Sequence, residues 1–166
     1  MTRIRTYGEK VLKKPCEEVK NITESVLRTV EELKRTLRAT ERGLGLAAPQ
    51  IGSSRRIFIA VHPQTKKIFT FINPRLEGLQ GKEIDMEGCL SFPEVFFAIE
   101  RATRVIIHGT SEKGKPVSME AEGLLARCFQ HELDHLNGTL IIDYASGEEK
   151  RYWKEKLEAL SRLPRS

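Results

Sequence analysis

Apolar residues recur at helical spacing between residues 21 and 40, where they lie three or four positions apart. Asn21 and Glu24 are placed like a capping pair at the start of this stretch. The pattern predicts an amphipathic helix that packs on the core through one stripe of side chains. That stripe consists of Val26, Leu27, Val30, Leu33 and Leu37.

Short apolar or β-branched runs follow and are separated by turn residues. They predict strands and hairpins at residues 56–61, 67–72, 104–109 and 116–121. Two further helices are predicted at residues 123–137 and 148–163, the last with Trp153, Leu157 and Leu160 on one face. Strands and helices do not alternate. The order therefore predicts an α+β fold with antiparallel β-sheets around a central helix, and an N-terminal and a C-terminal helix outside it.

A chain of 166 residues has the size of one domain, so we expect a single domain over residues 1–166. The longest apolar runs are too short for a membrane span, and the N-terminus lacks the pattern of a secretory signal. We therefore expect a cytoplasmic protein. The net charge of +5 comes from scattered lysines and arginines, which favours a solvated surface over sequence-specific binding of nucleic acid.

The strongest chemical signal is the run His131-Glu132-Leu133-Asp134-His135. Residues four apart lie one turn from each other on a helix, so both imidazoles can reach one metal ion. Glu132 projects beside them, where a general base stands. Chance assembly of this run in a chain with four histidines is improbable. His62 and His108 have no partner pattern and are expected to be structural or exposed.

A catalytic ion usually has three protein ligands, so one more donor is needed. Position 141 is Ile141, which excludes the extended metalloprotease pattern with a third histidine there. Glu155 or Glu158 would serve a protease with a downstream glutamate, but both fall on the polar side of the last predicted helix. Cys89, next to Gly88, is the better candidate because a thiolate binds zinc or ferrous iron strongly. Three cysteines argue against a disulfide framework and leave Cys16 and Cys128 as packing residues.

The glycine-rich segment at residues 43–52 has spacing compatible with a dinucleotide-binding loop, but a helix precedes it and Pro49 interrupts it. A tight turn is the simplest interpretation. Glycines also leave backbone open for an extended peptide, and Gln50 offers an amide donor to a developing oxyanion.

Three motifs together resemble those of the peptide deformylases. They are a Gly-x-Gly-x-Ala-Ala-x-Gln segment at residues 43–50, Glu-Gly-Cys-Leu-Ser at 87–91, and Gln-His-Glu-x-Asp-His at 130–135. The similarity extends over essentially the whole chain. It implies removal of the formyl group from N-formylmethionine on newly made peptides. It also implies one divalent metal ion, usually Fe²⁺, which Zn²⁺ or Ni²⁺ can replace.

The resemblance also implies roles for individual residues. Cys89, His131 and His135 would hold the metal, with Glu132 as general acid and base and with Gln50 and the backbone N–H of Leu90 facing the oxyanion. Gly45 would pair with the substrate backbone, and other residues would lie at or near the bound methionine. The substrate-binding set is Gly43, Leu44, Gly45, Glu87, Leu124 and Cys128.

Two positions differ from many relatives. Phe96 stands where an arginine is common, and Arg127 stands where an apolar residue is common. We expect the stem of Arg127 to line the pocket and its charge to lie at the rim.

Two other functions stay open at this point. The chain would be a metallopeptidase of another family if Cys89 were not needed, or a ribosome- or RNA-binding protein if the ion were structural. Contact with the ribosome near emerging chains would use basic residues of the last helix. These are Lys150, Arg151, Lys154 and Lys156.

Overall fold

Two antiparallel sheets and four α-helices form the fold in the computed structural model, which describes residues 2–163. The predicted α+β class is confirmed. The helices are α1 (Glu24–Arg38), α2 (Gly123–Leu136), α3 (Gly147–Tyr152) and α4 (Lys154–Ser161). The strands are β1 (Gly45–Ala47), β2 (Ile57–Val61), β3 (Ile68–Gln80), β4 (Glu83–Cys89), β5 (Phe92–Arg101), β6 (Arg104–Thr110) and β7 (Pro116–Glu122). Short 3₁₀ helices lie at Lys10–Lys13, Ala48–Ile51 and Ile141–Tyr144.

The larger sheet has the strand order β1-β2-β3-β6-β7, and β4 pairs with β5 in a separate hairpin. The helix α2 packs across the larger sheet and contacts all five of its strands. Phe129 on α2 contacts the rings of Phe58 and Phe71 on β2 and β3, with centroids 6.1 and 5.2 Å away. This buried aromatic contact fixes α2 on the sheet, as the predicted central helix requires.

The helix α1 packs on β1 and β2 with Val26, Val30, Leu33 and Leu37, as predicted. The prediction is wrong for Leu27, which is 38% exposed because it lies beside the buried stripe and not on it.

The start of α1 differs from the prediction, because the N-cap is Thr23 and not Asn21. The Thr23 side chain accepts a hydrogen bond from the backbone N–H of Val26. Thr23 directly precedes the first helical residue, so its side chain can accept this N–H, which has no partner within the helix. Asn21 lies two positions earlier and does not make this bond.

The strand β3 continues eight residues beyond the predicted end at Ile72. Its pairing with β6 shifts register after Ile72 and again after Glu77, and these irregularities accommodate Pro74 and Gly78. Asn73 adopts a positive φ of 52°. Its side chain bonds the backbone N–H and C=O of Val19, which holds this bend in place.

The last predicted helix is interrupted, so the prediction of one continuous helix over residues 148–163 is wrong. Trp153 separates α3 from α4, and its indole N–H donates to the carbonyl of Phe96 on β5 at 2.9 Å. This hydrogen bond holds Trp153 against the hairpin at the break between the two helices. The same edge of β5 is held by Glu149, which accepts the backbone N–H of Ala98.

The histidines outside the motif take part in local contacts. His108 bonds Glu77 and Ser118 on the neighbouring strands, and the ring of His62 accepts backbone N–H groups of the following turn. Among residues 2–163 no helix is long and apolar enough to cross a membrane. The single domain over residues 1–166 stays a prediction, because Met1 and residues 164–166 lie outside the described part.

Candidate metal centre and active site

Both motif histidines lie on the core-facing side of α2. The rings of His131 and His135 are 5.0 Å apart between centroids, with an angle of 66° between their planes. Spacing of one helical turn brings the rings side by side, so nitrogen atoms of both can face one point.

Cys89 approaches these rings from the end of β4. Its Sγ lies 3.3 Å from Nε2 of His135, and the possible ligand atoms of Cys89, His131 and His135 all lie within 4.8 Å of one another. One sulfur and two imidazole nitrogens suit zinc or ferrous iron, so the donor set fits one transition-metal ion. Structural zinc sites usually have four protein ligands, whereas the described residues offer three here.

Glu87 fixes the orientation of His131. Its Oε2 lies 2.7 Å from Nδ1 of the imidazole. An ionised carboxylate only accepts hydrogen bonds, so Nδ1 carries the proton and Nε2 is left as the lone-pair donor for a metal. Burial opposes ionisation of Glu87, but hydrogen bonds from His131 and Arg101 outweigh it and lower the pKa of Glu87 to about 2.

Arg127 does not line a pocket rim, so that prediction is wrong. Its side chain is buried, and its guanidinium donates to Glu87 Oε1 at 3.1 Å, to the carbonyl of Ile99 at 3.0 Å and to that of Glu83 at 2.9 Å. A residue four positions before His131 lies on the same face of α2, and that face is turned toward the hairpin.

Glu132 is buried beside the imidazoles. Its Oε2 has no hydrogen-bond partner among the described residues. Burial raises the pKa of Glu132 to about 7. A carboxyl group that is neither paired nor strongly acidic can both take up and release a proton near neutral pH.

Gln50 lies at the other side of Cys89. Its Oε1 accepts the backbone N–H of Ala47 at 2.9 Å, which turns its Nε2 toward Ser91 Oγ at 3.1 Å and Cys89 Sγ at 3.7 Å. The buried amide is therefore held as a donor next to the sulfur. Leu90 follows Cys89 directly, so its backbone belongs to the same turn.

The predicted substrate-binding residues lie around this group. Gly45 begins the edge strand β1, and a Cβ there would lie 2.7 Å from Glu132 Oε1 and 2.9 Å from Cys128 Sγ. Glycine therefore lets β1 approach α2 closely. The thiol of the buried Cys128 donates to the carbonyl of Leu44.

Two of the predicted residues lie farther toward the surface or the helix α1. Leu124 is 54% exposed in the first turn of α2. Gly43 packs against Leu37, Thr40 and Leu90. The structure thus places Gly45, Glu87 and Cys128 against the motif residues of α2 and leaves Leu124 open to solvent.

The prediction from sequence missed several polar residues of the site. Arg101 donates Nε and Nη2 to Glu87 and Nη1 to Asp134, and Tyr144 donates to the same Asp134 oxygen at 2.6 Å. The period-two pattern of Val95, Phe97 and Ile99 continues to Arg101, so alternation along β5 was the available signal. Asp134 lies within the motif at residues 130–135, so the sequence offered this residue as well.

Glu155 and Glu158 are exposed on α4 and do not belong to the metal-capable group found among residues 2–163. The arrangement of a metallopeptidase with a downstream glutamate therefore has no support in the fold. Three possible ligands from two elements beside a buried carboxyl group are typical of a hydrolytic metal centre of another kind.

Comparison with known proteins agrees with this geometry. Residues 1–151 match the family model for polypeptide deformylase. The chain is 40% identical to the peptide deformylase of Thermotoga maritima over 163 residues, covering 98% of each chain. It is 42% identical to that of Halothermothrix orenii over 141 residues, covering 85% of this chain and 91% of the relative.

Solved structures agree as well. The peptide deformylase of Legionella pneumophila superposes with a TM-score of 0.90 at 32% identity, covering 99% of each chain. A peptide deformylase from Synechococcus elongatus, solved in complex with actinonin, gives a TM-score of 0.85 at 34% identity and covers 92% of this chain and 86% of that one. This chain therefore belongs to the polypeptide deformylase family, whose members are metal-dependent hydrolases.

We predict that Cys89→Ala loses tightly bound metal, because one of three donors disappears, whereas Cys16→Ala retains it. Cys16 is a free, buried cysteine in the main core and controls for loss of a thiol. Metal content after dialysis, measured by elemental analysis, checks this. Equal metal content in both variants would remove Cys89 from the ligand set.

Proposed function

We propose that this chain removes the N-formyl group from the N-terminal formylmethionine of newly synthesised peptides and releases formate. Membership of the family supports the reaction, and the group formed by Cys89, His131, His135 and Glu132 supports its chemistry. Water adds to the formyl carbon, the carbon–nitrogen bond breaks, and the products are formate and a free amine.

We propose Fe²⁺ as the ion, with Zn²⁺ or Ni²⁺ as substitutes, held by Cys89, His131 and His135. A thiolate with two imidazoles suits iron and zinc alike, and the supply of metal influences which is bound. When bound, the metal lowers the pKa of water and polarises the formyl oxygen. The protonated Nδ1 of His131, fixed by Glu87, keeps the other ring nitrogen available for it.

Glu132 is proposed to carry the proton. It takes one from the attacking water and returns it to the leaving amine nitrogen, so that the amine leaves neutral. Burial beside Gly45 supports this role, and so does Oε2, because this oxygen has no hydrogen-bond partner among residues 2–163.

Gln50 and the backbone N–H of Leu90 are proposed to stabilise the negative charge that develops on the formyl oxygen. Gln50 supports this through its fixed amide, which is aimed at Cys89 and Ser91 before any substrate arrives. A donor held in place in advance needs no reorganisation during the reaction.

The substrate backbone is proposed to extend along β1. This strand is at the edge of the larger sheet, and an extended peptide can add to such an edge. Gly45 would pair with it, and Gly43, Leu44, Glu87, Leu124 and Cys128 would lie at or near the methionine. The exposed Leu124 offers apolar surface that supports contact with an apolar side chain.

We predict that Glu132→Gln lowers formate release by about 10²- to 10⁴-fold with metal retained, because the proton carrier is lost.

We predict that Gln50→Ala lowers turnover by about 10²- to 10³-fold, as expected for the loss of one oxyanion donor. Formate release from a formyl-methionyl peptide is measured without oxygen, alongside metal content.

Glu155→Gln and Gln64→Ala are the matched controls, because both residues are exposed and lie outside the three motifs. Both should retain wild-type release. Undiminished turnover in metal-loaded Glu132→Gln would contradict the assigned proton carrier, and the same result for Gln50→Ala would remove that residue from the mechanism.

We further propose a cytoplasmic location and contact with the ribosome near emerging chains. The support is the exposed basic side chains of Lys150 and Arg151 on α3 and Lys154 on α4. Lys156 contributes less to such a surface, because it pairs with Glu94 at 3.0 Å and lies over the ring of Trp153.

Replacing Lys150, Arg151 and Lys154 by glutamate should weaken cosedimentation with ribosomes at low salt and leave formate release from a short peptide unchanged. The charge reversal replaces long-range attraction to the anionic ribosome by repulsion. Equal cosedimentation of the variant and the wild type would reject the contact.

A further inference from the structure

Arg127 connects the two elements that carry the proposed metal ligands. The proposed ligands come from two elements, with Cys89 at the end of the hairpin strand β4 and the histidines on α2. Arg127 is on α2 but makes its hydrogen bonds with the hairpin. It therefore spans the boundary across which the metal site is assembled.

The contacts of Arg127 reach both strands of the hairpin. Nη2 donates to the carbonyl of Glu83 on β4, and Nη1 donates to the carbonyl of Ile99 on β5. The planar guanidinium offers its donors in a rigid fork, so these bonds restrict both the distance and the rotation between helix and hairpin.

Arg127 also completes the hydrogen bonds of Glu87. Oε1 accepts from Arg101 Nε and Arg127 Nη1, and Oε2 accepts from Arg101 Nη2 and His131 Nδ1. A carboxylate has about four acceptor sites, and all four are used. Arg101 and Glu87 both belong to the hairpin, so their ion pair alone does not relate the carboxylate to α2.

Two cations and two anions form one group of ion pairs when Arg127 is included. Arg101 and Arg127 are positive, whereas Glu87 and Asp134 are negative. Asp134 bonds Arg101 from α2 three residues after His131, as Arg127 bonds Glu87 from four residues before it. His131 is thus held between two helix-to-hairpin ion pairs.

We propose that Arg127 is a positioning residue, which fixes α2 against the hairpin and Glu87 against His131 so that the imidazoles and the Cys89 sulfur converge on one metal ion. This inference rests on the metal site of the proposed function. Its readouts are metal affinity and ligand geometry. Absence of formate release from the metal-loaded wild type would contradict the proposed function, whereas unchanged metal binding in the Arg127 variant would contradict this role.

The test compares full-length wild type, Arg127→Met, Glu87→Gln and the double variant. Zn²⁺ affinity is measured by competition with a chromophoric chelator, and the visible spectrum of the Co²⁺-loaded proteins reports the ligand geometry. We expect Arg127→Met to weaken Zn²⁺ binding by about 10- to 100-fold, as for other outer partners of metal ligands, and to shift the Co²⁺ bands.

The double variant should lose less Zn²⁺ affinity than the two single variants lose together, because Arg127 acts partly through Glu87. Arg56→Met is the matched control, since Arg56 bonds the carbonyl of Leu136 at the end of α2 and does not contact Glu87. It should leave affinity and spectrum unchanged.

Wild-type Zn²⁺ affinity and Co²⁺ bands in Arg127→Met would overturn the proposal, and so would losses that add in full in the double variant. Should Arg127→Met not fold, Arg127→Lys decides in its place. A single ammonium cannot serve Glu87 and both carbonyls in the same fork, so a smaller loss of affinity with shifted bands is expected. Wild-type values in that variant would equally reject the role.

Discussion

The proposed metal site requires the sulfur of Cys89 and one nitrogen each of His131 and His135 to face the same ion. These residues belong to elements more than 40 positions apart in the chain. The histidines need only the turn of α2, whereas Cys89 depends on where the hairpin ends relative to that helix. A functional site of this kind tolerates displacements of only about 0.5 Å. The boundary between α2 and the hairpin is therefore the constraint on which the rest of the active site depends.

The structure satisfies this constraint with buried charges. Glu87, Arg101 and Arg127 are all less than 10% exposed, and such groups are stable only when they are paired and hydrogen-bonded. Removing one partner of a buried pair typically costs about 3 to 5 kcal/mol, because the other charge is left without compensation. The hydrogen bonds that keep Glu87 ionised thus also hold the carboxylate that orients His131. Glu132 departs from this pattern, because its Oε2 has no hydrogen-bond partner among residues 2–163. Such local departures from good pairing are expected where a residue has a chemical task.

Much of this arrangement could be predicted from the sequence where a pattern has a strict period. The helical spacing of α1 and α2 and the four-residue spacing of His131 and His135 are local properties, and the structure reproduces them. The hairpin could not be predicted as readily, because β4 buries little apart from Glu87, and the apolar residues that alternate along it, Ile84 and Met86, are exposed. The break at Trp153 depends on a tertiary hydrogen bond to β5, which no local spacing indicates. The burial of Arg127 likewise depends on acceptors in β4 and β5, so composition and spacing alone favoured a solvent-exposed charge.

X-ray absorption spectroscopy of the metal-loaded wild-type protein tests the central claim most directly. The convergence of Cys89 with both histidines predicts one sulfur at about 2.3 Å and two imidazole nitrogens at about 2.0 to 2.1 Å from a zinc ion, with a further position filled from solvent. A spectrum without a sulfur neighbour, or one that requires four protein ligands, would contradict it.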